Sequence, residues 1–193
     1  MKRGDLLTVA IERLAPDGDG VAVIDGRTVL VRGAVPGDIA TFRIQRLKRE
    51  SAKAMVEHLD SSSVPRMEAA CPHFGICGGC RWQDIPYAEQ CRLKTGLIRD
   101  ILGNIPGMEP PGDVPFVPSP DIFNYRNKME FSFDSPPGSG EINLGLHERG
   151  KFNRVFDVTE CRLLSARSND IVSAVRTFAI ERGISIYGFM SHR

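Results

Sequence analysis

The sequence predicts a mainly β protein with a few helices: a small five-stranded barrel, a cysteine-rich segment, and a second antiparallel β unit. Three observations predict it. Short β-rich runs separated by turn residues fill positions 1–60, three thiols (Cys71, Cys77 and Cys80) fall within ten residues, and alternating apolar residues resume at Tyr125 between Pro/Gly turns.

The first unit reads strand by strand. Leu6–Glu12 is β-rich, and Gly18-Asp19-Gly20 turns the chain into Val21–Ile24. Asp25-Gly26 is the strongest hairpin cue and leads into Arg27–Val31. Pro36-Gly37-Asp38 turns into Ile39–Ile44, and Lys53–Leu59 completes five strands, the size of an oligonucleotide-binding barrel. Arg43, Arg46, Lys48, Arg49 and Lys53 lie across the last hairpin. They read either as a solvated charged turn or as an edge that contacts phosphates.

Residues 60–70 have linker composition, and Ile85–Leu102 carries apolar residues at helical spacing, ended by Gly103-Asn104. Cys91 falls on the apolar stripe of that helix, as a small core residue would. A Pro/Gly-rich loop follows. Tyr125–Phe133, Ile142–Leu146 and Arg154–Val158 read as strands, Ser168–Arg182 as a helix capped by Gly183, and Ile184–Tyr187 as a further strand.

Composition narrows the function classes. A formal net charge of +1 over 193 residues means that any basic surface is local. No apolar run is long enough to span a bilayer, and Met1–Asp5 leads into an alternating charged segment, so the expected compartment is the cytoplasm. Thiols stay reduced there, and five clustered or isolated cysteines favour metal binding over disulfides. Three closely spaced thiolates need a fourth ligand, and Cys161, Cys91 or His73 could supply one. Iron–sulfur clusters often take three near thiolates plus one distant one, whereas structural zinc sites usually pair two short Cys/His knuckles, so the spacing favours iron–sulfur with zinc as the competitor.

These residues are similar to a known family. Cys71-Pro72-His73-Phe74-Gly75-Ile76-Cys77-Gly78-Gly79-Cys80-Arg81-Trp82-Gln83, with Tyr87, Gln90 and Lys94, resembles the iron–sulfur segment of the RNA uracil-5-methyltransferases. The preceding barrel, with Gly18–Ala22 and Val35–Asp38, resembles their TRAM domain. Tyr125–Lys128, Gly145–Gly150 and Val158–Cys161 resemble the central β domain. The resemblance is nearest to bacterial enzymes that methylate a uridine in 23S ribosomal RNA, with tRNA enzymes as the competing reading.

The resemblance implies a [4Fe-4S] cluster held by Cys71, Cys77, Cys80 and Cys161. It implies RNA as partner for a 1–60 TRAM domain, with Arg43, Arg46, Lys48, Arg49 and Lys53 meeting phosphates and Arg126 and Lys128 facing RNA from the central domain. It divides the rest into a linker and cluster segment (61–84), a helix (85–103) that packs on the catalytic domain, and a central β domain with terminal helix (121–193). The complete enzyme uses S-adenosylmethionine, and a cysteine thiolate adds to uracil C6 so that C5 takes the methyl group. That chemistry needs a doubly wound α/β domain, and no strand–Gly-x-Gly–helix unit occurs in this sequence. The expectation is therefore an N-terminal portion, with neither catalytic nor S-adenosylmethionine-binding residues of its own and inactive alone. It could be a cloned piece, a truncated product, or half of a split enzyme whose methyltransferase domain is a separate chain. A stand-alone RNA-binding or scaffold protein with a structural metal is the alternative from another class.

Overall fold

The computed structural model describes residues 1–109, 112, 114–136, 140–151 and 153–186. The chain divides into two compact units, Met1–Met67 with Asp84–Pro118, and Glu68–Gln83 with Ser119–Arg193.

The first unit contains a six-stranded sheet: β1 (Leu6–Ala10), β2 (Arg13–Leu14), β3 (Gly20–Ile24), β4 (Arg27–Arg32), β5 (Asp38–Leu47) and β6 (Ser51–Ser62). Their order is β1-β5-β6-β4-β3-β2, with β4 and β6 parallel and every other pairing antiparallel. Six strands stand where the sequence suggests five, because the expected strand from Leu6 ends at Ala10 and a further short strand, Arg13–Leu14, forms beyond Glu12. After β1 leaves β5, Ile11 donates its N–H to Asp38 O (2.9 Å) and Glu12 donates to Val21 O (2.8 Å), and the chain re-pairs with β3. The two strands at the ends of the pairing order are thus joined by two residues.

Period-two alternation on β5 buries Ala40, Phe42 and Ile44 against Ala52 and Ala54 of β6 and Val29 and Val31 of β4. Phe42 is the largest fully buried side chain among the described residues. The Asp25-Gly26 cue forms its hairpin, with Ile24 paired to Arg27 and φ of 51° and 74° at the two turn residues. Two positive φ values are what a type I′ turn needs to follow the strand twist.

β6 runs further than the sequence suggests and takes in Asp60–Ser62, residues of linker composition. A buried carboxylate accounts for this. Asp38 accepts hydrogen bonds from Val35 N (2.8 Å), from Ser62 Oγ (2.5 Å) and from Arg66, so the end of β6 is tied to the start of β5. Arg66 also pairs with Asp84 at 2.8 Å, and Met67 donates its N–H to Asp84 O at 2.8 Å. The chain on either side of segment 68–83 is therefore closed into a neck. Helix α1 (Tyr87–Gly103) follows directly, with Pro86 at its N-cap, Leu93 buried, and Cys91 half-buried.

The second unit holds a three-stranded antiparallel sheet, β7 (Ser132–Asp134), β8 (Asn143–His147) and β9 (Val155–Asp157), and helix α2 (Ala166–Glu181). The expected strand from Tyr125 contracts to Ser132–Asp134. Asn124 and Arg126 instead donate their N–H groups to Arg162 O and Leu163 O, both at 2.9 Å, and these bonds take the place of a ladder. Gly145 on β8 is required by contact, since a Cβ there would sit 1.9 Å from Phe156 O. α2 starts before the expected Ser168 because Ser165 caps it, its Oγ accepting from Ser168 N at 3.2 Å. Arg176 fastens the helix to the sheet, donating to Asp157 (2.6 Å), to Leu144 O (3.1 Å) and to Val158 O. Gly183 adopts φ +56° just past the helix, where a C-cap glycine belongs. Ile184–Ile186 form no strand, since Ile184 N donates back to Ala179 O at 3.0 Å, and Tyr187 lies outside the described residues. Among the described residues no helix is long and apolar enough to cross a membrane.

Candidate metal centre and basic edge

Cys71, Cys77, Cys80 and Cys161 line one narrow pocket, with Leu146, Phe156, Val158 and Leu163 among its apolar walls. All four belong to the second unit, whereas Cys91 lies on α1 of the first. All five cysteines are free thiols. The structure thus brings Cys161 to the three near cysteines, and Cys91 does not line their pocket.

The loop Cys71–Cys80 is shaped by its own backbone. Phe74 N donates to Cys71 O (3.0 Å), and both Ile76 N (3.1 Å) and Cys77 N (2.9 Å) donate to His73 O. It is then laid against the turn after β8. Gly78 N donates to His147 O (3.1 Å), Arg149 N donates to Ile76 O (2.7 Å), and Cys77 forms a bridge with Glu148. Arginines hold carbonyls at both ends of the loop: Arg162 Nε donates to Ala70 O (3.3 Å) and Arg149 Nη2 to Cys80 O (3.1 Å). The Arg149 guanidinium also sits 5.4 Å over the Phe74 ring.

Three further side chains fix the thiol-bearing backbone. Asn169 on α2 embraces Cys161, accepting from its N–H at 2.8 Å and donating to its carbonyl at 3.2 Å. His73 Nε2 accepts from Thr159 N at 3.1 Å and lies 3.0 Å from Thr159 Oγ1, clipping the Cys71 loop to the segment that carries Cys161. That nitrogen is engaged with a backbone donor, so it is not available as a ligand, and in the neutral ring the proton sits on Nδ1. Burial lowers the His73 pKa, while Asp157 and Glu160 pull it back up. Gln83 reaches both ends of the loop, accepting from Cys71 N at 3.2 Å and donating from Nε2 to Cys80 Sγ at 3.1 Å.

The electrostatics show that the thiols sense one another. Burial pushes the Cys77 thiol up; the Gly79 and Cys80 N–H groups oppose this, and Cys71 and Cys161 add to it. Burial also raises Cys80, opposed by the Gln83 amide and reinforced by Cys77, Cys71 and Cys161. Packed thiols that resist ionising together release their protons when a cation takes them. Among the described residues no three His, Cys, Asp or Glu side chains are gathered closely enough to hold a single metal ion. One tetrahedral zinc would bring its sulfurs to about 3.8 Å from one another, given Zn–S bonds of about 2.3 Å. The donor set here is soft and ringed by apolar side chains, with N–H groups directed at Cys77 Sγ and Cys80 Sγ.

The predicted cations separate into two places. Arg43 and Arg46 on β5, Lys48 and Arg49 in the following turn, and Lys53 on β6 are all exposed in the first unit. Arg46 stands directly opposite Lys53 in the ladder. Arg43 is engaged, pairing with Glu57 at 2.8 Å and donating to Gly4 O at 3.2 Å. Arg126 and Lys128 are exposed in the second unit, where Arg126 Nε donates to Lys128 O (3.0 Å) and Lys128 pairs with Glu130 (2.5 Å). Reading the sequence as motifs misses the roles of Gln83, Asn169 and His73 in the thiol site. Gln83 sits inside the cysteine motif and could have been singled out by its proximity, but nothing in the sequence links Asn169 to Cys161.

Residues 1–56 match the TRAM domain. A protein of Nitratidesulfovibrio vulgaris, described as an uncharacterized RNA methyltransferase, is 35% identical over 98% of this chain, which spans 40% of that protein. One of Chlorobaculum tepidum with the same description is 32% identical over 99% of the chain and 43% of its own length. The solved structure of Pyrococcus abyssi tRNA (uracil-54, C5)-methyltransferase, in complex with S-adenosyl-L-homocysteine, matches 96% of this chain and 40% of that one, with a TM-score of 0.65 and 26% identity. Over nearly its whole length this chain is similar to proteins described as RNA methyltransferases. It spans about two fifths of the length of these relatives.

Proposed function

We propose that the chain is the RNA-recognition and iron–sulfur portion of an S-adenosylmethionine-dependent uracil-5-methyltransferase that forms 5-methyluridine in 23S rRNA, in the cytoplasm. The observation that carries this is the convergence of Cys71, Cys77, Cys80 and Cys161 on one pocket in a chain that opens with a TRAM domain. In this reading the four thiolates hold a [4Fe-4S] cluster. The bound cluster supplies a cross-link between two segments distant in sequence, closing the chain from Cys80 to Cys161. His73, Asn169 and Gln83 hold the ligand backbones in place for it. The first 60 residues form an oligonucleotide-binding-type barrel, and the β5–β6 cations bind the phosphate backbone. Arg126 and Lys128 extend that contact from residues 121–193. Helix 85–103, with Ile98 and Ile101 exposed, packs on the methyltransferase portion, which supplies the nucleophile and the S-adenosylmethionine site. That portion is either continuous with this chain or a separate polypeptide, and this chain alone transfers no methyl group.

A second reading, tRNA as the substrate, is favoured by the likeness to the Pyrococcus abyssi enzyme. Competition binding with 23S rRNA fragments and tRNA separates the two.

The chain purified without oxygen is expected to contain about four irons and to absorb broadly in the blue. One zinc and no iron would overturn the cluster assignment. For the RNA surface, Arg46→Ala with Lys53→Ala is expected to weaken binding and to reduce the slope of log affinity against log salt by about 1.4, at about 0.7 for each single-strand phosphate that is no longer neutralised. An unchanged slope would remove these two residues from the interface.

A further inference from the structure

We infer that Gln83 is a positioning residue for the cluster, with a separate job at each end of its amide. This deepens, and rests on, the cluster reading above. The orientation of the amide is fixed by chemistry. The backbone N–H of Cys71 can only donate, so the group 3.2 Å from it must be the amide oxygen. The NH2 end then faces Cys80 Sγ at 3.1 Å. A single side chain thus joins the backbone of the first ligand to the sulfur of the third, and sets the span between them without any covalent link.

The two ends act differently once the sulfur is a thiolate bound to iron. The oxygen end orders the start of the loop, which has no other bond from its Cys71 N–H among the hydrogen bonds of the described residues. The nitrogen end places a donor on a ligand sulfur, and such a bond withdraws electron density from the iron–sulfur unit. Hydrogen bonds to ligand sulfurs are one of the levers that set cluster potentials. The Cys77 sulfur has a comparable donor in the Gly79 backbone N–H at 3.4 Å, which a side-chain substitution does not remove. Gln83 is therefore a side-chain donor to this sulfur set that a substitution can remove.

The test compares Gln83→Met, which has neither amide function, with Gln83→Glu, which keeps an acceptor for Cys71 N–H and loses the donor. All are purified anaerobically as the 193-residue chain, with circular dichroism to confirm the fold. The midpoint potential of the one-electron cluster couple and the rate of iron release to a chelator are read for each. Both variants are expected to be harder to reduce than the parent by about tenfold in the equilibrium, or ~59 mV. Only Gln83→Met is expected to release iron faster, by about 10-fold or more. If Gln83→Met does not fold, the potential of Gln83→Glu decides alone. A parent chain with full iron, together with variants unchanged in potential and release, would leave the cluster reading standing and overturn the role of Gln83. A parent without iron would overturn both.

Discussion

Replacing Asp38 with alanine is expected to destabilise the first unit by about 3–5 kcal/mol, the range for breaking a buried charge pair from one side. The carboxylate is fully buried, and its removal strands two donors, Val35 N and one arm of Arg66, while Ser62 Oγ keeps Val64 O as its acceptor. Arg66 is only 20% exposed in its side chain, so water cannot readily replace the missing partner. Urea unfolding of the chain followed by circular dichroism measures the effect. In a double-mutant cycle, adding Arg66→Met to Asp38→Ala should cost less than the sum of the singles, because the guanidinium left behind is then gone. A destabilisation below about 1 kcal/mol for Asp38→Ala, or strict additivity, would mean that the ion pair does not organise the end of β6.

Cys161→Ser should shorten cluster retention by at least about 100-fold, the upper end of what losing even a supporting partner of a metal ligand costs. In the proposed ligand set this sulfur is the one contributed from beyond the Cys71–Cys80 loop, so its absence would remove the cross-link as well as a ligand. Iron per chain and the visible band after a fixed time in chelator give the readout, with Cys91→Ser as the internal control. Cys91 lies on α1 in the other unit and does not line the pocket, so its substitution should leave both values at the parent level. If Cys91→Ser loses iron and Cys161→Ser keeps it, the ligand set proposed here is wrong.

The strands of the first unit were legible because their turns are chemically explicit: Asp25-Gly26 fixes a hairpin by backbone sterics alone, and β5 alternates cleanly between core and solvent. What the sequence hid there depends on one buried acid. Asp38 looks like a turn residue after Pro36-Gly37, yet it sits in the core and draws Ser62 and Arg66 to it, turning linker composition into strand. In the second unit, Tyr125–Phe133 alternates like a strand, but the N–H of Arg126, and that of Asn124 just before it, go to the loop after Cys161, and periodicity is blind to that competition. The thiol set could be anticipated from spacing and family likeness, whereas its supports could not. Asn169 and His73 act across tertiary contacts, and their partners are backbone groups, which leave no mark in residue type.

The neck at Met67 and Asp84 bears on how freely the cysteine segment can vary. Segment 68–83 hangs from two positions already hydrogen-bonded to each other and braced by Arg66, so the sheet beneath does not depend on its length. Doubling such a loop adds only about 0.6 kcal/mol of closure entropy. The cysteine segment is in that sense an insert whose length could change over evolutionary time while the pairing of the six-stranded sheet stays intact.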